Sequence, residues 1–170
     1  MKRVSYLLCC LGVCSTALMF AHNAKAQATD DDKKFLAMAA QSDVNEITLS
    51  KLAEDKATNP DVKAFAHKMV VDHEGLEAKM KPFADAWGLQ APSGVDEDHQ
   101  KALDKLNSLS GNDFDKQYMD DMVSDHAKAY DAFTKEAKDT HDAKFKAAVI
   151  QGKSVVAAHK NMAYDLKKKL

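Results

Sequence analysis

The chain has 170 residues, of which 29 % are charged and 45 % hydrophobic, and its net charge is −2. That balance lacks the basic excess of a nucleic-acid-binding surface. All three cysteines (Cys9, Cys10 and Cys14) fall within the first 26 residues. The remainder therefore has no thiol for a nucleophile, a disulfide, a Cys₄ zinc site, an iron–sulfur cluster or a c-type haem attachment.

The first segment reads as an export signal. Lys2 and Arg3 precede an apolar run from Tyr6 to Phe20, and Ala24-Lys25-Ala26 is a small-x-small cleavage site. The run is 15 residues long, short of the roughly 20 that a transmembrane helix needs. The cysteines follow Val13, Cys9 and Leu8, so none carries the small neighbour of a lipidation motif. Residues 1–26 are expected to be removed. The mature chain, 27–170, is then one domain without a membrane span, in the periplasm or cell envelope. Its 21 basic and 26 acidic residues give it a net charge of −5.

Glycine and proline are scarce after this point, and Ala, Lys, Asp, Glu, Leu and Met favour helix. Apolar residues step by alternate threes and fours in four segments. The first, 31–57, has Asp30, Asp31 and Asp32 at its start and a seam of Phe35, Ala39, Ser42, Glu46, Leu49 and Ala53. Asn59-Pro60 ends it. The second, 60–87, carries Val62, Ala66, Met69, His73, Leu76, Met80, Phe83 and Trp87, with Gly88 as its stop. Pro82 is expected to kink or end it near Lys81. Residues 89–111 are too long for a hairpin and hold an amphipathic stretch with Leu103, Leu106 and Leu109, which predicts a crossover with its own small helix.

The third long helix, 112–138, is capped by Asn112 or Asp113, and its seam is Asp115, Met119, Met122, His126, Ala129 and Phe133. The fourth, 142–168, carries Phe145, Ala148, Gly152, Val155, His159, Met162 and Leu166. Two hairpins joined by one long crossover predict an all-α, ferritin-like four-helix bundle.

Each seam is interrupted by one polar residue: Glu46, His73, His126 and His159. Burying a carboxylate or an imidazole is costly unless it finds a partner. Four such groups on four facing helices could converge on one transition-metal ion, Zn, Cu or Fe. At ~1.5 Å per residue Glu46 and His73 stand level, while His126 and His159 are offset by roughly 7 Å, so a staggered site or a set of three ligands also fits. Asp72 and Asp125 each precede a seam histidine and could orient an imidazole from behind. Met69 and Met122, one turn earlier, would lean the site towards copper, although methionine also fills cores. His67, His99 and His141 lie off the seams or in connections and read as surface.

Catalytic signatures are absent. There is no G-x-S-x-G elbow, no glycine-rich phosphate loop, and no pair of Glu-x-x-His motifs of the di-iron oxidases. The residues lean away from an enzyme.

Several stretches resemble a bacterial family, domain of unknown function 4142, whose members are exported or outer-membrane proteins with a ferritin-like fold. The matching residues include Asn59-Pro60-x-Val62-Lys63-x-Phe65-Ala66-x-x-Met69-Val70-x-Asp72-His73 and Ser110-Gly111-x-x-Phe114-Asp115-x-x-Tyr118. Glu46, His126 and His159 also belong to the pattern. The chain departs from it at Lys153-Ser154-Val155, where the family often has a proline. The resemblance implies a helical fold and export, and brings no activity, substrate or cofactor with it. Three readings remain open: a metal-binding envelope protein; an interaction or structural module with a metal-free core and an envelope protein as partner; and b-type haem binding through His and Met, which nothing in the residues selects.

Overall fold

Thr29-x-x-Asp32 is a capping box. The Thr29 hydroxyl accepts from the Asp32 N–H at 3.0 Å, and the Asp32 carboxylate accepts from the Thr29 N–H at 2.7 Å, so two otherwise orphaned donors are satisfied where α1 (Asp30–Lys56) begins. The cap therefore lies one residue before the three aspartates that mark this start in the sequence. In the computed structural model, which describes residues 28–170, α1 is followed by α2 (Pro60–Trp87), α3 (Glu97–Ser108), α4 (Gly111–Asp139) and α5 (Ala143–Lys167). The expected signal sequence, residues 1–26, lies outside the described residues. Among the described residues no helix is long and apolar enough to cross a membrane.

The architecture is the all-α, four-helix bundle read from the seams. α1 packs along α2 and α4 along α5, each pair a hairpin, while α1 against α4 and α2 against α5 join the hairpins. Pro60 occupies the first turn of α2, and Gly88 closes it in the left-handed conformation (φ 70°). Pro82 does not end α2, which continues to Trp87. Pro82 and Ala78, whose carbonyl loses its N–H partner, are both exposed, so water can take the place of the missing bond. The crossover carries α3, as its leucine pattern predicts, with Leu106 fully buried and the Lys56 ammonium donating to the carbonyls of Leu106 and Asn107.

The buried stripes fix how the helices are rotated. On α1 the stripe runs Leu36, Ala39, Asp43, Glu46, Leu49, Ser50, Ala53, so the step after Ala39 is four and brings Asp43, not Ser42, into the core. The apolar core is in two parts. One holds Leu49, Val62, Met69, Phe114, Tyr118 and Met122. The other holds Phe35, Leu36, Met80, Phe133, Phe145 and Val149. Between the two parts each long helix turns polar residues inward, Asp43 and Glu46, His73, His126 and His159, accompanied on α2 by the apolar Val70 and Leu76.

Gly152 brings α5 close to α4. A Cβ there would stand 2.5 Å from Phe133 Cε1, and the Phe133 ring is itself held edge-on by Phe35 at 4.9 Å. Alanine in place of a helical glycine ordinarily stabilises by ~1 kcal/mol. Overpacking a closed contact costs ~1–3 kcal/mol. The second effect wins here because the Phe133 ring is buried and backed by Phe35. Gly152→Ala is expected to lower stability by ~1–2 kcal/mol in urea denaturation, and Gly152→Ala with Phe133→Leu should recover most of the loss.

Candidate metal centre

The polar layer is built from the backs of its rings inward. The His73 Nδ1–H donates to Asp43 Oδ1 at 2.8 Å. The His126 Nδ1–H donates to the Met122 carbonyl, one turn earlier on α4, at 2.9 Å. The His159 Nε2–H donates across to Asp72 Oδ2 on α2 at 2.8 Å. Each partner only accepts, so each fixes one tautomer and leaves a lone pair on the opposite nitrogen. Those nitrogens are His73 Nε2, His126 Nε2 and His159 Nδ1. The three residues offer ligand atoms that all lie within 4.8 Å of one another. His73 Nε2 and His126 Nε2 are 3.4 Å apart, and His159 Nδ1 is buried with no hydrogen-bond partner. The three residues are at most 3 % exposed.

Electrostatics favours neutral rings at two of the three positions. Burial, followed by repulsion from His73, holds His126 down to about 4. Burial also takes His159 down to about 4, against the pull of Asp72. Burial lowers His73 too, but the bond to Asp43 and the charges of Glu46 and Asp43 outweigh it and lift this ring above its ordinary value. A proton arriving at the cluster therefore settles on His73.

Glu46 is buried, as its seam position predicts, but stands apart from the three nitrogens. Its Oε1 is 3.7 Å from His126 Nδ1, the nitrogen on the outer side of the ring, and its Oε2 has no partner. α1 neighbours α4 behind His126, so the carboxylate arrives from the back. Burial pushes its carboxyl up to about 7. A folded pKa above the unfolded value of about 4.5 means that native stability declines as pH rises from ~5 to ~7 and then levels. In metal-free protein, Glu46→Gln is expected to melt with wild type near pH 5 and to exceed it by ~1–2 kcal/mol near pH 8, once the cost of burying the amide is subtracted. Parallel melting curves across that range would show that the carboxyl is not the group responsible.

The two aspartates beside the histidines have different fates. Asp72 does orient an imidazole, that of His159 on the neighbouring helix. Asp125 does not orient one of the three. It faces α3, where Oδ2 lies 3.4 Å from His99 Nε2 and Oδ1 accepts from Lys128 at 2.9 Å. His99 is correspondingly no free surface residue. Asp125 and, with opposition from burial, Asp96 lift it to about 9, and it clasps the crossover to α4. Asp43 is the site residue that the sequence reading missed. A clue was available in its spacing, three residues before Glu46 on one helical face. His67 pairs with Glu54 at the surface, and His141 is exposed, as read.

The bundle is shared with solved structures. A fragment of domain of unknown function 305 from Deinococcus radiodurans is 12 % identical, with a TM-score of 0.74, over 84 % of this chain and 99 % of that one. CopM in its Cu(II)-bound form is 20 % identical, with a TM-score of 0.69, over 84 % of this chain and 98 % of its own. CopM in its Ag-bound form is 19 % identical, with a TM-score of 0.68 and the same coverage. No curated protein matches the chain in sequence. The blocks around Asp72-His73 and Phe114-Asp115 that carry the sequence resemblance thus sit at the polar layer and at the hairpin joint, and the family model spans residues 17–166: the chain belongs to the family of domain of unknown function 4142.

Proposed function

We propose that the protein is an exported metal-handling bundle. Residues 1–26 direct it out of the cytoplasm, residues 27–170 act as one domain, and His73, His126 and His159 bind one transition-metal ion, copper before zinc or iron. The observation that carries this is the clustering of three buried histidines, with ligand atoms within 4.8 Å of one another, whose ring protons are all engaged by outer acceptors. Outer hydrogen bonds of this kind orient and strengthen imidazole ligands. Three neutral nitrogens without a thiolate or a converging carboxylate suit copper, whereas a structural zinc site would need a fourth protein ligand. The Cu- and Ag-bound forms of CopM, on a similar fold, support the choice of metal to test first. Asp43 and Asp72 serve as orienting acceptors, and Glu46 and Asp125 stay outside the coordination sphere.

The rival reading is a metal-free core in which a proton on His73 bridges to His126 across 3.4 Å. That arrangement still leaves His159 Nδ1 without a partner. Haem fits worse: the ring centroids stand 5.3–5.6 Å apart and leave no slot for a macrocycle. The deciding experiment is reconstitution of the mature chain with Cu(I), removal of loosely held metal, and elemental analysis with X-ray absorption. One copper per chain with three nitrogen scatterers at ~2.0 Å is expected. Substoichiometric copper, or copper retained by His159→Ala, refutes the assignment.

A further inference from the structure

A site this deeply buried needs a route, and two surface hollows approach the polar layer from different sides. The first lies between α1 and α2 and has a volume of about 100 Å³. Asp43 is part of its wall, and the same carboxylate accepts the His73 Nδ1–H at 2.8 Å. Glu77, one turn beyond His73 on α2, is exposed beside it, and the buried Met80, two turns beyond His73, is also part of the wall. Asp85 stands further out, paired with Lys81 at 2.8 Å. The wall thus has three carboxylates against one ammonium.

The second hollow, on the α1–α4 side, is lined by Asp96 and Asp125 but also by His99 and Lys128, which pair with them. Its charges cancel. No residue of its wall is hydrogen-bonded to the three histidines of the centre. Asp125 precedes His126 in the chain, yet its oxygens are engaged by His99 and Lys128.

We infer that the groove between α1 and α2 is the port through which a soft cation reaches the three histidines, with Glu77 and Met80 in its wall receiving it and Asp43 passing it to His73. This rests on the metal-binding reading above and specifies how that site is filled. An acidic mouth with low-dielectric walls concentrates cations and speeds their arrival. A thioether is a ligand for Cu(I) and a poor one for the hard cations Ca²⁺ and Mg²⁺. Opening of the Asp43–His73 bond frees the ring to turn, so its orienting carboxylate is also the last barrier on the way in.

Loading kinetics test this, with Cu(I) supplied from a chromophoric chelator whose absorbance falls as the protein takes the metal. Ala40→Phe adds a ring to the groove wall and should slow both uptake and release about tenfold, ~1.4 kcal/mol added to the barrier in each direction, with the equilibrium affinity unchanged. Met38→Phe, in the second hollow, should load at the wild-type rate. Glu77→Lys, an exposed change that leaves the core alone, should slow uptake about tenfold at low ionic strength, with the effect fading as salt is added. Wild-type rates in both Ala40→Phe and Glu77→Lys overturn the port, as does slow loading confined to Met38→Phe. A wild-type chain that takes up no copper overturns the metal-binding reading itself, and the port with it.

Discussion

Addition of Cu(I) to metal-free protein is expected to raise the melting temperature by roughly 10 °C. A ligand that binds only the native state at a thousand times its dissociation constant stabilises by ~4 kcal/mol, and for a domain of this size each kcal/mol is worth about 3 °C. The three nitrogens come from α2, α4 and α5, so the unfolded chain has no equivalent site and the whole binding energy appears as stability. His73→Ala, His126→Ala and His159→Ala should each abolish the shift. Glu46→Gln and His99→Ala should preserve it, since neither residue contributes a converging nitrogen. Lowering the pH should erode the shift, because a proton and a metal compete for His73. Since Asp43 and Glu46 lift that ring above its ordinary value, competition begins above pH ~6.5 rather than below it. A shift that survives His159→Ala would place the bound metal elsewhere.

The largest expected loss of stability lies away from the metal centre, at Asp115. This carboxylate, 1 % exposed at the start of α4, accepts the Thr58 hydroxyl at 2.7 Å, the Asn59 N–H at 2.8 Å and the Thr58 N–H at 3.1 Å. It holds the joint between α1 and α2 against the opposite hairpin. Hydrogen bonds to a charged acceptor contribute ~1.5–3 kcal/mol each. Thr58 is exposed, so water can replace part of what is lost. Asp115→Ala is therefore expected to cost about 2–4 kcal/mol, with the melting temperature falling by roughly 10 °C. Asp115→Asn keeps one acceptor oxygen and should fall between. Equal stability of Asp115→Ala and wild type would mean that packing of Phe114 and Tyr118 alone fixes the joint.

The four long helices were legible because each keeps its apolar period for more than six turns. On α5, however, the buried stripe runs through Val149, Val156 and Ala163 rather than Ala148, Val155 and Met162, because both residues of each adjacent pair are apolar and only packing against the neighbouring helices chooses between them. The three histidines were legible for the same reason, as polar interruptions of an apolar stripe. Spacing along one helix says nothing, however, about which side of a ring a neighbouring helix meets. Glu46 is buried as its seam position demands, yet it meets His126 from behind. Asp72-His73 and Asp125-His126 are the same local motif, and only packing separates them: Asp72 faces α5, while Asp125 faces a crossover helix whose position no local pattern encodes. Asp43 escaped because a stripe leaving Ala39 can step by three or by four, and the choice depends on the neighbours of α1.

The polar layer that splits the apolar core also couples the two hairpins. Any excursion that parts α1 and α2 from α4 and α5 must separate His73 from His126 and His159. With an ion bound across the layer, such an excursion costs the binding free energy as well, so amide protons at both ends of the bundle exchange together and slowly. Without it, only contacts such as the Asp72–His159 hydrogen bond join the hairpins at this layer, and opening costs less. The lifetime of this chain among proteases would then follow its occupancy, with loaded molecules persisting and unloaded ones being cleared.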